Sequence, residues 1–340
     1  MARNLEFRKI QVTGGNTYVV SLPKKWINEI NIKPNQQVAI IPQPDKTLLI
    51  VPYGEQRIKE DIEITIDSTN ITKTQDLITE FMGYYIMGYD IIRVKVEENS
   101  DRQALKDFIH NKLIGTEIIN ETPQQVTTRC LVSETSVRLD QAISRMHILT
   151  LILVEGFIEA LEKNDFSKAK DLISTDDEID RFYLYVVRQI KLLLNNRLFL
   201  EEVGLESIHD AFAYREAAKC IERSADHAVR IISILSGINM PLSKKHVEHL
   251  VEAGKIAREV QVNGMKAFNK YVSSLLSKCI EENKQLQQLE EETIQNLISL
   301  GVKPPNITLL AFVAENIKRI AEYGVDIAYI AKRKSIKIIS

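Results

Sequence analysis

Two groups of acidic residues have the spacing of metal ligands on neighbouring helices. Glu222 and Asp226 stand four residues apart, and Asp176 and Asp180 do the same in the preceding helical segment, with Asp177 beside them. Side chains at this spacing share one helix face, where like charges repel each other unless a cation neutralises them. Hard carboxylate oxygens suit Mg²⁺, Mn²⁺, Ca²⁺ or iron, and Zn²⁺ is a further candidate. Two such groups on neighbouring helices can converge on one ion, so all five carboxylates are candidate metal ligands.

The same acids on the later helix also fit a plain solvated face with intrahelical ion pairs. Arg223 and Arg230 are near enough in sequence to be the partners. His227 is either a further ligand or a surface histidine, whereas His147, in an apolar segment, is expected to be a core histidine. Spacing alone leaves the metal site and the solvated face open.

Positive charge is concentrated at the N-terminus. Residues 1–52 hold seven Lys or Arg and three Asp or Glu, a net charge of +4, whereas the whole chain carries −2 and the remainder therefore −6. A basic segment on an acidic chain predicts a polyanionic partner for that segment only. The alternative is a dimerisation unit whose basic face is merely solvated.

Composition and motifs exclude several classes of protein. Hydrophobic residues make up 44% and charged residues 26%, which is ordinary for a soluble globular protein. We expect no membrane span, because Glu155 interrupts the apolar run 149–154, and no signal peptide at the N-terminus. Three distant cysteines, Cys130, Cys220 and Cys279, predict a reducing, cytoplasmic location.

Signatures of enzymes are missing from the sequence. It has no Walker loop, no G-x-G-x-x-G, no nucleophile elbow and no H-E-x-x-H. A diiron oxidase in a carboxylate bundle would need paired E-x-x-H motifs, which are also missing. We therefore expect a protein that is not an enzyme.

The elements that must position these residues fall into three regions. Residues 8–13 and 17–22 predict two strands joined by a turn at Gly14-Gly15-Asn16, followed by a short helix after Pro23. Strands are also expected at 38–41 and 47–51. Five such short elements make a small barrel-like unit that needs a partner chain for stability.

Residues 55–135 alternate between strand and helix patterns. Strands are expected at 61–66, 91–96, 118–120 and 125–132, with helices at 73–88 and 102–113. This order predicts a small α/β layer. Its role stays open between assembly, ligand binding and spacing.

From residue 136 to 334 the pattern is helical. The segments are 137–163, 166–194, 205–236, 244–283 and 305–333, and a sixth, 285–300, follows a turn expected near Asn283. Residues 218–231 align with 314–327, so the third helix of each three-helix set carries the same motif. The helical part is therefore predicted to be two tandem three-helix bundles.

The N-terminal segment resembles the AbrB/SpoVT family of swapped-hairpin DNA-binding domains over about 50 residues. The resemblance depends on Arg8, Lys9, Gly14, Gly15, residues 19–23 and Val38. It implies a dimer in which two hairpins interleave and present basic residues to DNA, where Lys and Arg bind phosphate groups. The candidate DNA-binding residues are Arg3, Arg8, Lys9, Lys24 and Lys25, with Asn16 and Thr17 at the hairpin tip as candidates for contacts to bases.

The helical part resembles the PhoU family of phosphate-uptake regulators over about 200 residues. Each bundle closes on a helix of the type A-x-x-[IL]-E-R-x-[AG]-D-H, and the first fits it through Ala218, Ile221, Glu222, Arg223, Ala225, Asp226 and His227. The resemblance implies metal clusters bound through paired acids and a role in phosphate signalling. It also implies contact with a phosphate transporter component or a signalling kinase.

The second bundle departs from this pattern. Lys318 replaces Glu222, Glu322 keeps the other acid, and residues 290–292 match 176–178, but Ile294 stands where Asp180 would be. We expect this bundle to bind metal weakly or not at all. A shifted pair, Glu322 with Asp326, is the less favoured alternative.

The predicted fold class is multidomain: a small all-β swapped-hairpin barrel head, a small α/β layer and two tandem three-helix bundles, so that the chain is mainly α. The predicted domains are 1–53, 54–135, 136–238 and 239–340. The predicted function is a homodimeric or larger DNA-binding transcriptional regulator that responds to phosphate status. The alternative is a metal-binding interaction protein that modulates a phosphate transporter or signalling partner, with the head used only for dimerisation.

Overall fold

The fold is described from a computed structural model of the 340-residue chain. The structure describes residues 6–42, 46–52, 61–71, 73–96, 98–131, 137–195, 200, 202–238 and 242–336. Two compact units are present: the head, Met1–Glu60 with Ile338–Ser340, and the body, Asp61–Lys337. Arg3 lies outside the described residues, and each predicted domain boundary touches residues that also lie outside them, so those boundaries stay predictions.

The head consists of two antiparallel hairpins and one short helix. Its elements are β1 (Gln11–Thr13), β2 (Thr17–Val19), α1 (Lys24–Glu29), β3 (Val38–Pro42) and β4 (Leu48–Pro52). Strand β1 pairs with β2 and β3 with β4, each as a separate two-stranded sheet. The first turn contains Gly14 and Gly15 with φ of 60° and 93°, a backbone region in which glycine avoids the steric cost of a Cβ.

None of the described head residues between 6 and 52 is buried. Phe7, Ile10 and Tyr18 are 92%, 70% and 76% exposed. The strands predicted from the sequence are present, but one chain forms two separate hairpins rather than a closed barrel. Hairpins of this size are marginal in water without further strands to cover their apolar side chains.

The first part of the body is a four-stranded mixed sheet with two helices. Its elements are β5 (Glu63–Asp67), α2 (Thr74–Met87), β6 (Ile91–Lys95), α3 (Asn99–Lys112), β7 (Thr116–Thr122) and β8 (Gln125–Cys130). The strand order is β5-β6-β8-β7, with β5 parallel to β6 and the other pairs antiparallel. Ile66, Val94 and Val126 pack with Phe81 and Leu105 in a core of their own. The predicted α/β layer is therefore present.

The rest of the body is helical. Its helices are α4 (Leu139–Lys163), α5 (Ser167–Asp171), α6 (Thr175–Asn195), α7 (Ile208–Ser236), α8 (Lys244–Asn269), α9 (Ser273–Ser299) and α10 (Pro304–Ser335). Helices α4, α6 and α7 form the first bundle, and α8, α9 and α10 form the second. One hydrophobic core extends through both bundles. The multidomain, mainly helical fold class is thus confirmed.

The third helices of the two bundles pack against each other in antiparallel orientation. Arg333 Nη2 lies 2.6 Å from Glu216 Oε2, and further along His227 Nδ1 lies 2.7 Å from Asn316 Oδ1. In one direction along their interface, the residue numbers rise on α7 and fall on α10. The two copies of the repeated motif therefore meet across one interface.

Two predicted helix boundaries were wrong. The break in the second bundle lies at residues 270–272, and α9 continues through Asn283. Lys270 and Val272 are extended, and aromatic Tyr271 and β-branched Val272 lose side-chain freedom in a helix. Segment 166–194 is also divided, since α5 and a 3₁₀ turn, Leu172–Ser174, precede α6.

Helices α8 and α10 cross with their backbones in contact. A Cβ at Gly264 would lie 2.3 Å from the carbonyl oxygen of Gly324, so this crossing requires glycine. Beside it, Gln261 Nε2 donates to Ser224 Oγ at 2.9 Å and to the Ile320 carbonyl at 2.5 Å. These hydrogen bonds connect α8 with α7 and α10 and fix the two bundles in one body.

His147 is a core histidine, as the sequence predicts. Its side chain is buried, and Nε2 lies 3.2 Å from the carbonyl oxygen of Gln261. Burial lowers the pKa of His147 to about 4, against a smaller opposing effect of that hydrogen bond. The ring is therefore neutral at neutral pH and donates to the carbonyl.

Helix α4 is long and apolar enough to cross a membrane by length and composition alone. The sequence analysis expected no such segment because Glu155 interrupts the apolar run. Within the described residues, 56% of the most apolar window of α4 is buried inside the body, as in the core helix of a soluble protein. Its apolar face contributes Met146, Leu153 and Phe157 to the core.

Candidate metal centre and nucleic-acid interface

The acidic residues predicted as ligands lie where α6 packs against α7. Asp176 and Asp177 are in the first turn of α6 and Asp180 follows one turn later, whereas Glu222 and Asp226 are in the middle of α7. The charges of Asp180 and Asp226 are close enough to raise the pKa of Asp176, and the charge of Asp180 also raises the pKa of Asp226. The structure therefore brings acids from both helices together. Asp177 lies at the edge, with 55% of its side chain exposed.

Asp176 is the most strongly perturbed of these carboxyls. Burial raises its pKa to about 7, with further contributions from the negative charges of Asp180 and Asp226. Its Oδ1 atom is buried and has no hydrogen-bond partner in the described part of the chain. This oxygen is a free acceptor that a cation or a proton can occupy.

Two lysines form salt bridges with three of the other four carboxylates, Asp177, Asp180 and Glu222. Lys112 Nζ, at the end of α3, lies 2.5 Å from Asp177 Oδ1 and 2.8 Å from Asp180 Oδ2. Burial lowers the pKa of Lys112, but the hydrogen bonds to both carboxylates outweigh burial, and the net shift is upward. Lys219 Nζ lies 2.6 Å from both oxygens of Glu222, one helical turn away on α7.

Glu222 is buried and only 9% exposed, so this carboxylate does not lie on a solvated face. Burial raises its pKa, Lys219 lowers it and Asp226 raises it further. In the alternative of a solvated face, Arg223 and Arg230 were the candidate ion-pair partners, whereas the structure pairs Glu222 with Lys219 on the same helix. Among the described residues, neither Arg223 nor Arg230 forms a salt bridge with Glu222 or Asp226.

The carboxylates fit a cation only in part. No three His, Cys, Asp or Glu side chains of the described residues converge in the manner of a metal site. The donor type is right for Mg²⁺, Mn²⁺ or iron, and Asp176 offers a free oxygen. Lys112 and Lys219 would have to release the other acids before several oxygens met on one ion. The predicted ligand set stays a prediction.

The corresponding place in the second bundle holds a salt bridge. Lys318 Nζ on α10 lies 2.5 Å from Glu290 Oε2 on α9, and both side chains are largely buried. Lys318 is the residue that aligns with Glu222, so an internal cation stands where the first bundle has an acid. Glu322 is bonded to Arg319 at 2.8 Å. This arrangement is consistent with the expectation of weak metal binding there.

The described candidate DNA-binding residues are all on the surface of the head. Arg8, Lys9, Lys24, Lys25, Asn16 and Thr17 are exposed. Asn16 and Thr17 lie at the tip of the β1–β2 hairpin. Arg8 is bonded to Glu6, and Lys25 is 3.9 Å from Glu29. All six side chains are therefore accessible to a ligand at this surface.

The sequence analysis did not include Lys112 and Lys219 among the site residues. Lys219 has a recognisable signal, because it stands three residues before Glu222 on the same helix. Lys112 has none, since it comes from α3 of the α/β layer, more than 60 residues before Asp177. Only the packing of α3 against α6 brings it to the acids.

Comparisons with known proteins agree with this architecture. The model of the PhoU domain matches residues 143–235, which cover most of α4, all of α6 and most of α7. The model described as antidote-toxin recognition MazE, bacterial antitoxin, matches residues 11–57.

A curated relative from Clostridium acetobutylicum is called a phosphate-specific transport system accessory protein PhoU homolog. It is 23% identical over 202 residues, which cover 57% of this chain and 90% of the relative. These matches support a regulator of phosphate homeostasis. The predicted resemblance is confirmed: the chain contains a PhoU-like helical region and an AbrB/MazE-type segment in its first 60 residues.

Proposed function

We propose that the chain is a DNA-binding transcriptional regulator whose helical body responds to phosphate status. The observation that carries the proposal is the head, an exposed basic hairpin unit of AbrB/MazE type on a PhoU-like body. A regulator of this kind needs no catalytic centre. It needs a surface that binds DNA and a body that receives a signal linked to phosphate.

The chemistry of the head supports DNA as its partner. Lys9 and Lys24 are exposed and form no salt bridge with any head residue that the structure describes. Free lysine and arginine side chains release counterions from DNA when they bind its phosphates, which supplies affinity without sequence preference. Asn16 and Thr17 at the hairpin tip add hydrogen-bonding groups for base edges.

The head also supports a homodimer as the DNA-binding species. Its exposed apolar side chains, Phe7, Ile10 and Tyr18 among them, lie in or next to the first hairpin and have no core to pack against within the described part of the head. A second copy of the same head supplies strands of matching length and apolar character. Interleaved hairpins would then bury these side chains and place the basic residues of both chains on one surface.

The test of the proposal is sequence preference. Gel-shift titrations compare the purified full chain on the DNA upstream of its own gene with a shuffled duplex of equal length and base composition. We expect tighter binding to the natural DNA and a steep loss of affinity with salt. Equal affinity for both duplexes, or affinity that ignores salt, would overturn the proposal.

A second candidate function is a cytoplasmic metal-binding interaction protein that modulates a phosphate transporter or signalling partner. The free, buried Oδ1 of Asp176 beside Asp180 and Asp226 favours it. Elemental analysis of protein purified without chelator tests the metal, with Asp176→Asn as the variant and Asp171→Asn, at an exposed acid outside the predicted ligand set, as its control. A stoichiometric metal that Asp176→Asn removes supports this candidate, and a metal content equal in all three proteins contradicts it.

A further inference from the structure

Two adjoining cavities lie between α7 and α10 in the body. Their volumes are about 340 and 320 Å³, and His227 and Arg230 line both. Pockets for small organic ligands have volumes from about 300 to 1,000 Å³. Together the cavities, here called the α7–α10 groove, have room for a ligand larger than one phosphate ion.

The groove contains arginines without partners. Arg223 and Arg230 are exposed and form no salt bridge or hydrogen bond with any other described residue. Arg319, the repeat equivalent of Arg223, faces them from α10 and is bonded to Glu322. Most other arginines of the helical body have a carboxylate, carbonyl or aromatic ring as partner. Guanidinium groups without an acidic partner are available to bind an anion, often through two parallel hydrogen bonds.

The groove also contains two acids, which limit the anions that fit. Asp226 lines one cavity and Glu315 the other. Against these two negative charges stand Arg223, Arg230 and Arg319, so the lining has a net charge of about +1 with His227 neutral. A ligand with several negative groups distributed along its length matches this pattern better than a single compact ion.

The spacing of the arginines is compatible with an extended anion. Arg223 and Arg230 are seven residues apart on α7, which corresponds to about 10 Å along a helix. Arginine side chains at this separation can bind one phosphate between them or two or three linked phosphates, and the volume of the two cavities favours the longer anion. His227 lies between them, with its Nδ1 fixed by Asn316.

The far end of the groove is apolar. Phe312, which is 50% exposed, and Ile234 line it next to Arg319. A bare polyphosphate leaves this surface in water, whereas a planar organic group covers the ring of Phe312. The groove therefore has a cationic part and an apolar part in one line.

We propose that the α7–α10 groove binds a nucleoside di- or triphosphate, with the phosphate chain at Arg223 and Arg230 and the organic part against Phe312 and Ile234. This site shares Asp226 with the candidate metal centre and contains none of its other four carboxylates. The inference deepens the proposed function by naming the ligand of the body. It rests on that function only for the effect of the ligand on DNA binding.

Isothermal titration of the full chain with ATP, tripolyphosphate and orthophosphate, in Mg²⁺-free buffer and in the absence of DNA, tests the site. We expect ATP to bind more tightly than tripolyphosphate, and orthophosphate to bind weakest. The double variant Arg223→Ala, Arg230→Ala weakens ATP and tripolyphosphate binding at least tenfold. Phe312→Ala weakens ATP binding and leaves tripolyphosphate binding unchanged.

The matched control removes two other arginines of the body, Arg258→Ala with Arg333→Ala, whose salt bridges lie outside the groove. Circular dichroism and melting temperatures show that each variant is folded. The proposal is overturned if ATP binding is undetectable at millimolar concentration, or if the control weakens it as much as the groove variant. It is also overturned if tripolyphosphate equals ATP and Phe312→Ala has no effect. A failed DNA experiment with intact ATP binding would contradict only the proposed function.

Discussion

The raised pKa of Asp176 predicts a pH dependence of stability that a single substitution removes. In the unfolded chain this carboxyl loses its proton near pH 3.8, and in the folded body near pH 7. Between these values the folded state holds a proton that the unfolded state has released. Stability therefore falls as the pH rises from about 4 to 7, and the full cost is present above pH 7.

The magnitude follows from the two pKa values. The difference between 3.8 and about 7 corresponds to about 4 kcal/mol at 1.36 kcal/mol per pH unit. Asp176 is only partly buried, and solvent screening reduces the cost, so we take about 2 kcal/mol. For a body of this size, 1 kcal/mol shifts the melting temperature by roughly 2 °C, which gives about 4 °C.

The assay is thermal unfolding at pH 5, 6, 7 and 8 with EDTA present. We expect Asp176→Asn to melt about 4 °C higher than the unchanged protein at pH 8, and we expect this difference to shrink steadily as the pH is lowered, to less than half of that value at pH 5. Asp177→Asn makes the same chemical change one residue along, at a mostly exposed carboxylate bonded to Lys112. Its profile should run parallel to that of the unchanged protein.

Parallel profiles for Asp176→Asn and the unchanged protein would refute the argument, because Asp176 would then not be a carboxyl destabilised by burial and neighbouring acids. Addition of Mn²⁺ at pH 8, in buffer without EDTA, tests whether the carboxylates bind a cation. A rise in the melting temperature of the unchanged protein alone supports a bound cation.

Three further changes follow from the packing of the body. Gly264→Ala places a Cβ against the carbonyl of Gly324 and should cost at least about 2 kcal/mol in denaturant unfolding, whereas an unchanged midpoint would contradict the close crossing. Lys318→Glu sets a second carboxylate beside Glu290, so the melting temperature should fall and partly recover with Mn²⁺; a stable variant without metal would contradict the buried salt bridge. In the unchanged protein, lowering the pH from 7 to 5 should reduce the free energy of unfolding by about 2 kcal/mol, because the buried His147 ring takes up a proton less readily than the same ring in the unfolded chain. His147→Gln should abolish this reduction, and an equal reduction in both proteins would contradict the burial of His147.

Most helices and strands follow from patterns within the sequence. Apolar residues at three- and four-residue spacing locate α4, α7 and α10, and the alternation of residues 61–66 locates β5. The break at 270–272 was missed because it contains neither glycine nor proline. It arises because the chain must reverse so that α9 packs against α8.

The candidate site was predicted less completely than the fold. The acids of α6 and α7 meet as their spacing suggests, but Lys112 reaches them from a different layer, and no local pattern reports that contact. Arg223 and Arg230 were expected to pair with acids of their own helix. They instead share with His227 the face that looks toward α10, which depends on how the two repeats pack.

The proposed function requires that the basic residues of the head bind DNA. Fluorescence anisotropy of a labelled duplex, titrated with full chain from 50 to 300 mM KCl, tests it through the slope of log affinity against log salt. The variant Arg8→Ala, Lys9→Ala should reduce that slope by about 2 for each chain bound. The control Lys33→Ala, Lys46→Ala, which removes the same charge from the head surface, should leave the slope nearly unchanged. Equal slopes for both double variants, or no binding by the unchanged protein at 50 mM KCl, would contradict the claim.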